Sequence, residues 1–262
     1  MKDFVRRWLG EGADKAEAPR RGAPELESGR RLYCIGDIHG RLDLLRDLHR
    51  RIDLDAERFE GHKTIVYLGD YIDRGLQSRE VLDELLDRPL AEFESVHLLG
   101  NHEQTLLDFL QYPDHAVGWL TWGGRETLLS YGVALPPGFQ RPDPVALRDQ
   151  LQASLPDAHL AFLQSLPLTY IAGDYLFVHA GIRPGVPLQE QRDSDLLWIR
   201  QEFLAWEEPH EHMVVHGHSI SETVEMRANR IGIDTGAFCT GVLTCLVLEG
   251  AEQRLLQTGG GV

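Results

Sequence analysis

The sequence predicts an α/β fold with α+β character, in which central mixed β-sheets are flanked by helices. Three observations predict it. Short apolar, β-branched runs alternate with helical periodicity through the first 110 residues. Each of the first three runs ends directly at a glycine-flanked polar cluster. In the last third of the chain, strand-like runs follow one another without long helices between them, which favours antiparallel or mixed pairing there.

The elements follow in order. Leu32–Ile35 is an apolar run ending at Gly36-Asp37-Ile38-His39-Gly40. Leu42, Leu45, Leu48 and Ile52 recur at helical spacing within Arg41–Ile52. Thr64–Leu68 is a β-branched strand ending at Gly69-Asp70-Tyr71-Ile72-Asp73-Arg74-Gly75, and Arg79–Leu86 is a second helix. Val96–Leu99 ends at Gly100-Asn101-His102-Glu103, and a third helix runs from Glu103 to about Leu110. Residues 112–170 break this rhythm with the proline-rich Pro136–Pro144 and helical stretches near 145–165, and read as an inserted helical region walling a cleft. Strand signals return at Tyr175–Val178, Met213–Val215, Thr223–Ile233 and Leu243–Leu248.

The expected organisation is therefore a flexible segment over 1–30, one catalytic domain over 31–250 and a tail over 251–262. The first segment is rich in Gly, Ala, Pro, Glu and Arg. Phe4, Val5, Trp8 and Leu9 within it share one face of a short helix, read as a frayed or self-docking turn in preference to an anchor. With 262 residues the chain can bury a sizeable core. A net charge of −15 argues against a broad nucleic-acid-binding surface. No apolar run approaches a membrane span. Cys34, Cys239 and Cys245 lie in apolar, strand-like surroundings and read as buried free thiols, which places the protein in a reducing, cytoplasmic setting.

The polar clusters carry the chemistry. In sheets of this kind, sites form where parallel strands end, and the first four clusters stand there on separate runs, the fourth being His179-Ala180-Gly181. A fifth is His216-Gly217-His218. The set Asp37, His39, Asp70, Asn101, His179 and His218 combines carboxylate, imidazole and amide oxygen, which suits manganese, iron or zinc. No cysteine has the spacing of a structural zinc site. Asp70, between the other early clusters, is the natural bridge between two ions roughly 3.5–4 Å apart.

These motifs resemble the three signatures of the calcineurin-like metallophosphoesterases. The form Asp70-Tyr71-Ile72-Asp73-Arg74-Gly75 is similar to the phosphoprotein phosphatase branch, the Ser/Thr phosphatases and their bacterial relatives. Trp119–Val133, containing Gly-Gly-Arg-Glu-Thr-Leu-Leu-Ser-Tyr-Gly, and Ile233-Asp234-Thr235-Gly236 also resemble the bacterial members. The resemblance spans about Arg31 to Leu248. It implies the metallophosphoesterase fold, a β-sandwich flanked by helices. It implies that Asp37 and His39 hold one ion, that Asp70 bridges, and that Asn101, His179 and His218 hold the other, with Mn²⁺ the leading choice. It further implies that His102 protonates the leaving alkoxide, oriented by Asp73, while Arg74 and, on a looser motif, Arg200 in Leu197-Trp198-Ile199-Arg200 grip the phosphate.

The activity so implied is hydrolysis of phosphoserine or phosphothreonine in proteins by direct attack of a metal-bound hydroxide, with phosphotyrosine accepted by some such enzymes. A dinucleoside tetraphosphate hydrolase or another nucleotide phosphatase is the alternative, since it shares the motifs. An inactive scaffold is disfavoured because all six ligands, His102, Asp73 and Arg74 are present. The expected partner is a phosphoprotein or phosphopeptide, with no nucleic acid and no membrane span.

Other polar and aromatic residues receive plainer readings. His49, His62, His97, His115, His159, His210 and His212 are expected to be surface or core residues. His216 is kept as a residue that could orient a ligand from behind. Trp119 and Trp122 are read as core or cap packing in preference to groove walls. Asp193 and Asp195 are read as a solvated acidic loop, in preference to an acidic groove wall that selects basic phosphopeptides.

Overall fold

The computed structural model describes residues 22–87, 90–114, 117–135 and 143–259. The expected helix at Phe4–Leu9, His115 and most of Pro136–Pro144 lie outside them.

Two five-stranded mixed sheets form the centre, with helices outside. The chain runs β1 (Arg30–Ile35), α1 (Leu42–Ala56), β2 (His62–Tyr67), α2 (Ser78–Asp87), β3 (Glu94–His97) and α3 (Asn101–Gln111). A 3-10 turn at Val117–Thr121 follows, then α4 (Gly124–Ser130), α5 (Pro144–Ser154) and α6 (Asp157–Ser165). The second half runs β4 (Thr169–Ala172), β5 (Tyr175–Val178), α7 (Asp193–Trp198), α8 (Gln201–Leu204), β6 (Met213–His216), β7 (Glu225–Met226), β8 (Arg230–Gly232), α9 (Ala237–Thr240), β9 (Thr244–Glu249) and β10 (Glu252–Gln257).

The first sheet has the order β10-β9-β1-β2-β3, the second β4-β5-β6-β8-β7. Strands β1, β2 and β3 are mutually parallel, as the helices between them require, and β9 and β10 add antiparallel. In the second sheet β5, β6 and β8 are parallel, with antiparallel β4 and β7 at the edges.

Alternation along the strands divides the core. Leu32, Cys34, Val66 and Leu246 face Tyr175, Phe177, Val215 and Ile231 between the sheets. Tyr33, Ile35, Ile65 and Val247, on the other face, meet Leu45, Leu48 and Ile52 of α1 and Val81 and Leu85 of α2. Leu176, Val178 and Val214 pack outward on Ile199 and Phe203.

Several details depart from the sequence reading. The expected strand Thr223–Ile233 is two short strands, because the chain reverses where Arg227 N–H donates to Arg230 O at 2.9 Å. Residues 252–257 of the expected tail form β10. Gly250, with φ +54°, permits the tight turn that folds them back on β9, and Leu256 packs against the core. Leu26 of the expected flexible segment is buried and donates its N–H to Gly250 O at 3.0 Å. Cys239 is exposed, since it sits on the short α9 and not on a strand; Cys34 and Cys245 are buried free thiols. Asp195 is buried on α7 and held by Arg183 Nη2 at 2.8 Å, so it is not a solvated loop residue, whereas Asp193 is exposed.

Candidate metal centre

The five clusters converge at the carboxyl ends of parallel strands. Asp37 and His39 follow β1, Asp70 to Arg74 follow β2, Asn101 and His102 open α3, His179 follows β5 and His218 follows β6. The loops are held in unusual backbone shapes. Among the described residues, five non-glycine residues have positive φ: His39, Asp70, Asp73, Arg74 and His218. All five belong to the site. Left-handed backbone at a non-glycine residue costs about 1–3 kcal/mol, and persists only where the surroundings enforce it. Glycine permits the crowding: a Cβ at Gly100 would collide with Asp70, and one at Gly217 with the Asp37 carboxylate.

A residue without an assigned role in the sequence reading fixes the β2 loop. Glu103 is fully buried, and its carboxylate accepts the backbone N–H of Asp70 and Tyr71 at 2.8 Å each, Gly100 at 3.1 Å and Ile72 at 3.2 Å. This ties the loop carrying Asp70 to the N-terminus of α3 carrying Asn101. Its place beside Asn101 and His102 was visible in the motif; its four donors are brought together only by the fold.

Two groups of buried donors share Asp70. His39, Asp70 and His102 form one; Asp70, His179 and His218 form the other. Asp70 Oδ2 lies 3.5 Å from His39 Nε2 and 3.8 Å from His102 Nε2, while Oδ1 lies 3.4 Å from His179 Nε2. Asn101 Oδ1 lies 2.8 Å from both His179 Nε2 and His218 Nδ1. Asp37 stands at the edge, accepting His218 N–H at 3.1 Å.

The proton positions indicate that cations belong here. His39 Nδ1 is 2.9 Å from Ile72 O and His179 Nδ1 is 2.8 Å from Leu68 O. A carbonyl only accepts, so both Nδ1 atoms carry hydrogen and both Nε2 atoms of the neutral rings present lone pairs. Those lone pairs face the oxygens of Asp70 and Asn101, which are also acceptors. His39 Nε2 and His218 Nε2 are buried without a hydrogen-bond partner. Burial pulls the imidazoles of His39, to about 3, and of His179 and His218 below their ordinary value, which keeps them neutral. Burial would raise the Asp70 carboxyl, but the imidazoles around it, of which His102 is held above its ordinary value, outweigh burial and hold it well below the carboxylate range. Burial, then Asp234 and Asp70, push Asp37 up, and burial lifts Asp234 to about 6. Crowded acceptors and strained acids of this kind fit divalent ions.

His102 differs from the other rings. Its Nδ1 lies 2.6 Å from Asp73 Oδ2, and its Nε2 lies 3.2 Å from Arg74 Nη2. Burial lowers this imidazole, but Asp70 and Asp73 outweigh burial and leave it above its ordinary value. Asp73 is itself fixed by Trp119 Nε1 on Oδ2 and Thr127 Oγ1 on Oδ1, each donating at 2.6 Å. Trp119 and Thr127 lie in a segment singled out from the sequence, where neither had been tied to Asp73. Trp119 is fully buried, as expected. Trp122 is not packed away: it is 51% exposed and lines the groove above the centre.

That groove has a volume of about 710 Å³, and its walls include Arg74, His102, Trp122, Arg125, Trp198 and Arg200. The Arg74 guanidinium sits 4.6 Å over the Phe238 ring. Arg200 donates from Nη1 to His218 O at 3.3 Å and Ser219 Oγ at 3.4 Å. Both arginines thus reach the groove from different elements. His216 belongs to neither donor group: its buried ring packs against Phe203 at 5.0 Å.

This geometry defines a metal-dependent phosphoesterase, and residues 30–239 match the family model for calcineurin-like phosphoesterases. The chain belongs to that family. It is 27% identical over 226 residues to Serine/threonine-protein phosphatase 2 of Salmonella typhimurium, covering 82% of this chain and 91% of that one. It is also 32% identical over 154 residues to a symmetrical bis(5'-nucleosyl)-tetraphosphatase of Aromatoleum aromaticum, covering 59% of this chain and 45% of that one. The crystal structure of a candidate diadenosine tetraphosphatase superposes with a TM-score of 0.61 at 22% identity, covering 91% of this chain and all 100% of the other, which shows the shared fold. Among the described residues, no helix is long and apolar enough to cross a membrane.

Proposed function

We propose that this protein is a phosphomonoesterase acting on phosphoserine and phosphothreonine in proteins. The observation that carries this reading is the extent of similarity. Alignment with the Ser/Thr phosphatase runs through 91% of that protein, whereas alignment with the tetraphosphatase stops at 45% of its length. The second reading, a dinucleoside tetraphosphate hydrolase, is supported by those shorter matches and by the fold neighbour.

The proposed roles are supported by the convergence of these side chains on Asp70. Asp37 and His39 hold one divalent ion, Asn101, His179 and His218 the other, and Asp70 faces both. When bound, two such ions supply a water-derived nucleophile at neutral pH and neutralise phosphoryl charge, and manganese is the proposed native choice. Arg74 and Arg200 grip the phosphate oxygens with forked donors. When Arg74 turns from His102 Nε2 to the phosphate, that nitrogen carries a proton, and His102, steadied by Asp73, gives it to the leaving alkoxide. A serine alkoxide is a poor leaving group, so that donation is worth about 10²–10⁴ in rate.

The test is initial-rate comparison of manganese-loaded protein on phosphoserine peptides, phosphotyrosine peptides and dinucleoside tetraphosphates. Higher kcat/KM on phosphoserine peptides supports the first reading. Cleavage of the dinucleotide alone overturns it.

A further inference from the structure

A second depression, of about 420 Å³, adjoins the groove. Its walls include Asp108, Tyr112, Trp119, Trp122 and Trp198. Trp122 and Trp198 line both depressions, with ring centroids 5.9 Å apart at 63°. On its near side, the Trp198 ring lies 6.2 Å from the His218 ring. The two depressions therefore meet at the tryptophan pair, and the inner one ends at the metal centre.

Helix α3 measures the distance between them. Asn101, Thr105, Asp108 and Tyr112 recur at helical spacing, so they share one face. Asn101 lies at the centre; Thr105, Asp108 and Tyr112 line the second depression. Seven residues at about 1.5 Å rise put Asp108 about 10 Å along the axis from Asn101. An extended peptide at about 3.3 Å per residue covers that in roughly three residues.

The wall chemistry is specific. Tyr112, Trp122 and Trp198 are 54%, 51% and 39% exposed, an unusual density of open aromatic surface. Asp108 is exposed beside them. Its carboxylate accepts Gln104 Nε2 from the same helix at 2.9 Å, and among the described residues no Lys or Arg pairs with it. Aromatic faces around one unpaired carboxylate bind a cation by charge and by the ring quadrupole together. The chain's net charge of −15 draws basic segments to the surface.

We propose that this depression is a substrate-specificity subsite, holding an arginine or lysine side chain about three residues from the phosphorylated residue. It rests on the phosphoprotein reading above and narrows the substrate class to basic phosphopeptides. Asp108 neutralises the cation; Trp122 and Trp198, in edge contact with each other, offer ring surface to its apolar stem and separate it from the arginines that hold the phosphate.

The test uses manganese-loaded protein and phosphoserine peptides carrying Arg, Leu or Glu at the third position on either side of phosphoserine. Arg on one side is expected to raise kcat/KM about five- to tenfold over Leu, with Glu below Leu. Asp108→Asn should erase the Arg preference, and Asp108→Lys should reverse it towards Glu. Both variants should turn over p-nitrophenyl phosphate within about twofold of the parent, since that substrate does not reach the subsite. Phosphopeptide turnover with no Arg preference, or a preference that survives Asp108→Asn, overturns the subsite alone. An equal loss on p-nitrophenyl phosphate also overturns it, by showing that Asp108 supports the fold. Dinucleoside tetraphosphate cleavage without phosphopeptide turnover overturns the subsite together with the phosphoprotein reading.

Discussion

Trp119 Nε1 and His102 Nδ1 meet on the same oxygen of Asp73, each at 2.6 Å. Asp73 is fully buried, and Thr127 takes its other oxygen. The carboxylate cannot rotate, so the His102 ring is held with Nε2 towards the groove. His102→Asn is expected to leave metal content unchanged and lower kcat on phosphoserine peptides about 10²–10⁴-fold. The loss should shrink on p-nitrophenyl phosphate, whose leaving group needs less protonation. Equal losses on both substrates would show that His102 is not the acid. Trp119→Phe keeps an aromatic side chain, though a smaller one, and removes the donor to Asp73, so it should share the substrate pattern in weaker form.

Asp70 faces both donor groups, and its loss should damage both. Elemental analysis of active protein is expected to find two divalent ions per chain, chelation to abolish activity and manganese to restore it best. Asp70→Asn keeps the shape and removes the charge. It should bind fewer than one ion per chain under conditions that saturate the parent. Full occupancy of two ions in that variant would refute the bridging role.

Arg74 and Arg200 are held differently, which predicts unequal effects. Arg74 is half-buried against Phe238, while Arg200 is exposed and makes two long hydrogen bonds. Arg74→Ala should lower kcat and raise KM together, because a fixed clamp stabilises both bound states. Arg200→Ala should act mainly on KM. Lysine at either position should recover only part of the loss, since a point charge lacks the fork. A change below about twofold in both KM and phosphate inhibition, well under the tenfold that 1.4 kcal/mol represents, would make Arg200 an ordinary surface residue.

Stability at acid pH should depend on a cluster far from the centre. Asp55 accepts Tyr33 Oη at 2.6 Å and Arg254 Nη1 at 2.6 Å, and stands 3.4 Å from Arg31, joining α1 to β1 and β10. Burial raises its carboxyl, but Arg254 and Tyr33 outweigh burial and hold it below its ordinary value. A lowered carboxyl contributes stability that is full above the unfolded value, about 3.9, and is lost as pH falls through the folded one. Asp55→Asn should cost about 1–2 kcal/mol near neutral pH, limited by solvent screening at a side chain 19% exposed. The Tm gap between parent and variant should close as pH drops below about 4. A gap constant from pH 7 to pH 3 would refute the charge-based account.

The amino-acid sequence alone determined the alternating elements and singled out the His, Asp and Asn residues that the fold brings together. Leu32–Ile35, Thr64–Leu68 and Val96–Leu99 have the local pattern of buried parallel strands, and the glycines beside Asp37, Asp70 and Asn101 mark turns. These are short-range signals, carried by residues a few positions apart. Only the tertiary structure decided what those residues touch. The Trp119–Asp73 bond joins positions 46 residues apart, the two histidine lone pairs facing Asp70 depend on carbonyls of distant loops, and Glu103 gathers four N–H groups from two loops. The same holds for β10 and for Trp122. Leu255 and Leu256 are too mixed with polar neighbours to announce a strand until β9 offers its edge, and a tryptophan's composition is identical whether the fold buries it, as at position 119, or leaves it at a groove, as at position 122. Periodicity and turn chemistry are local, while burial and pairing are settled by contacts between segments the chain brings together only on folding.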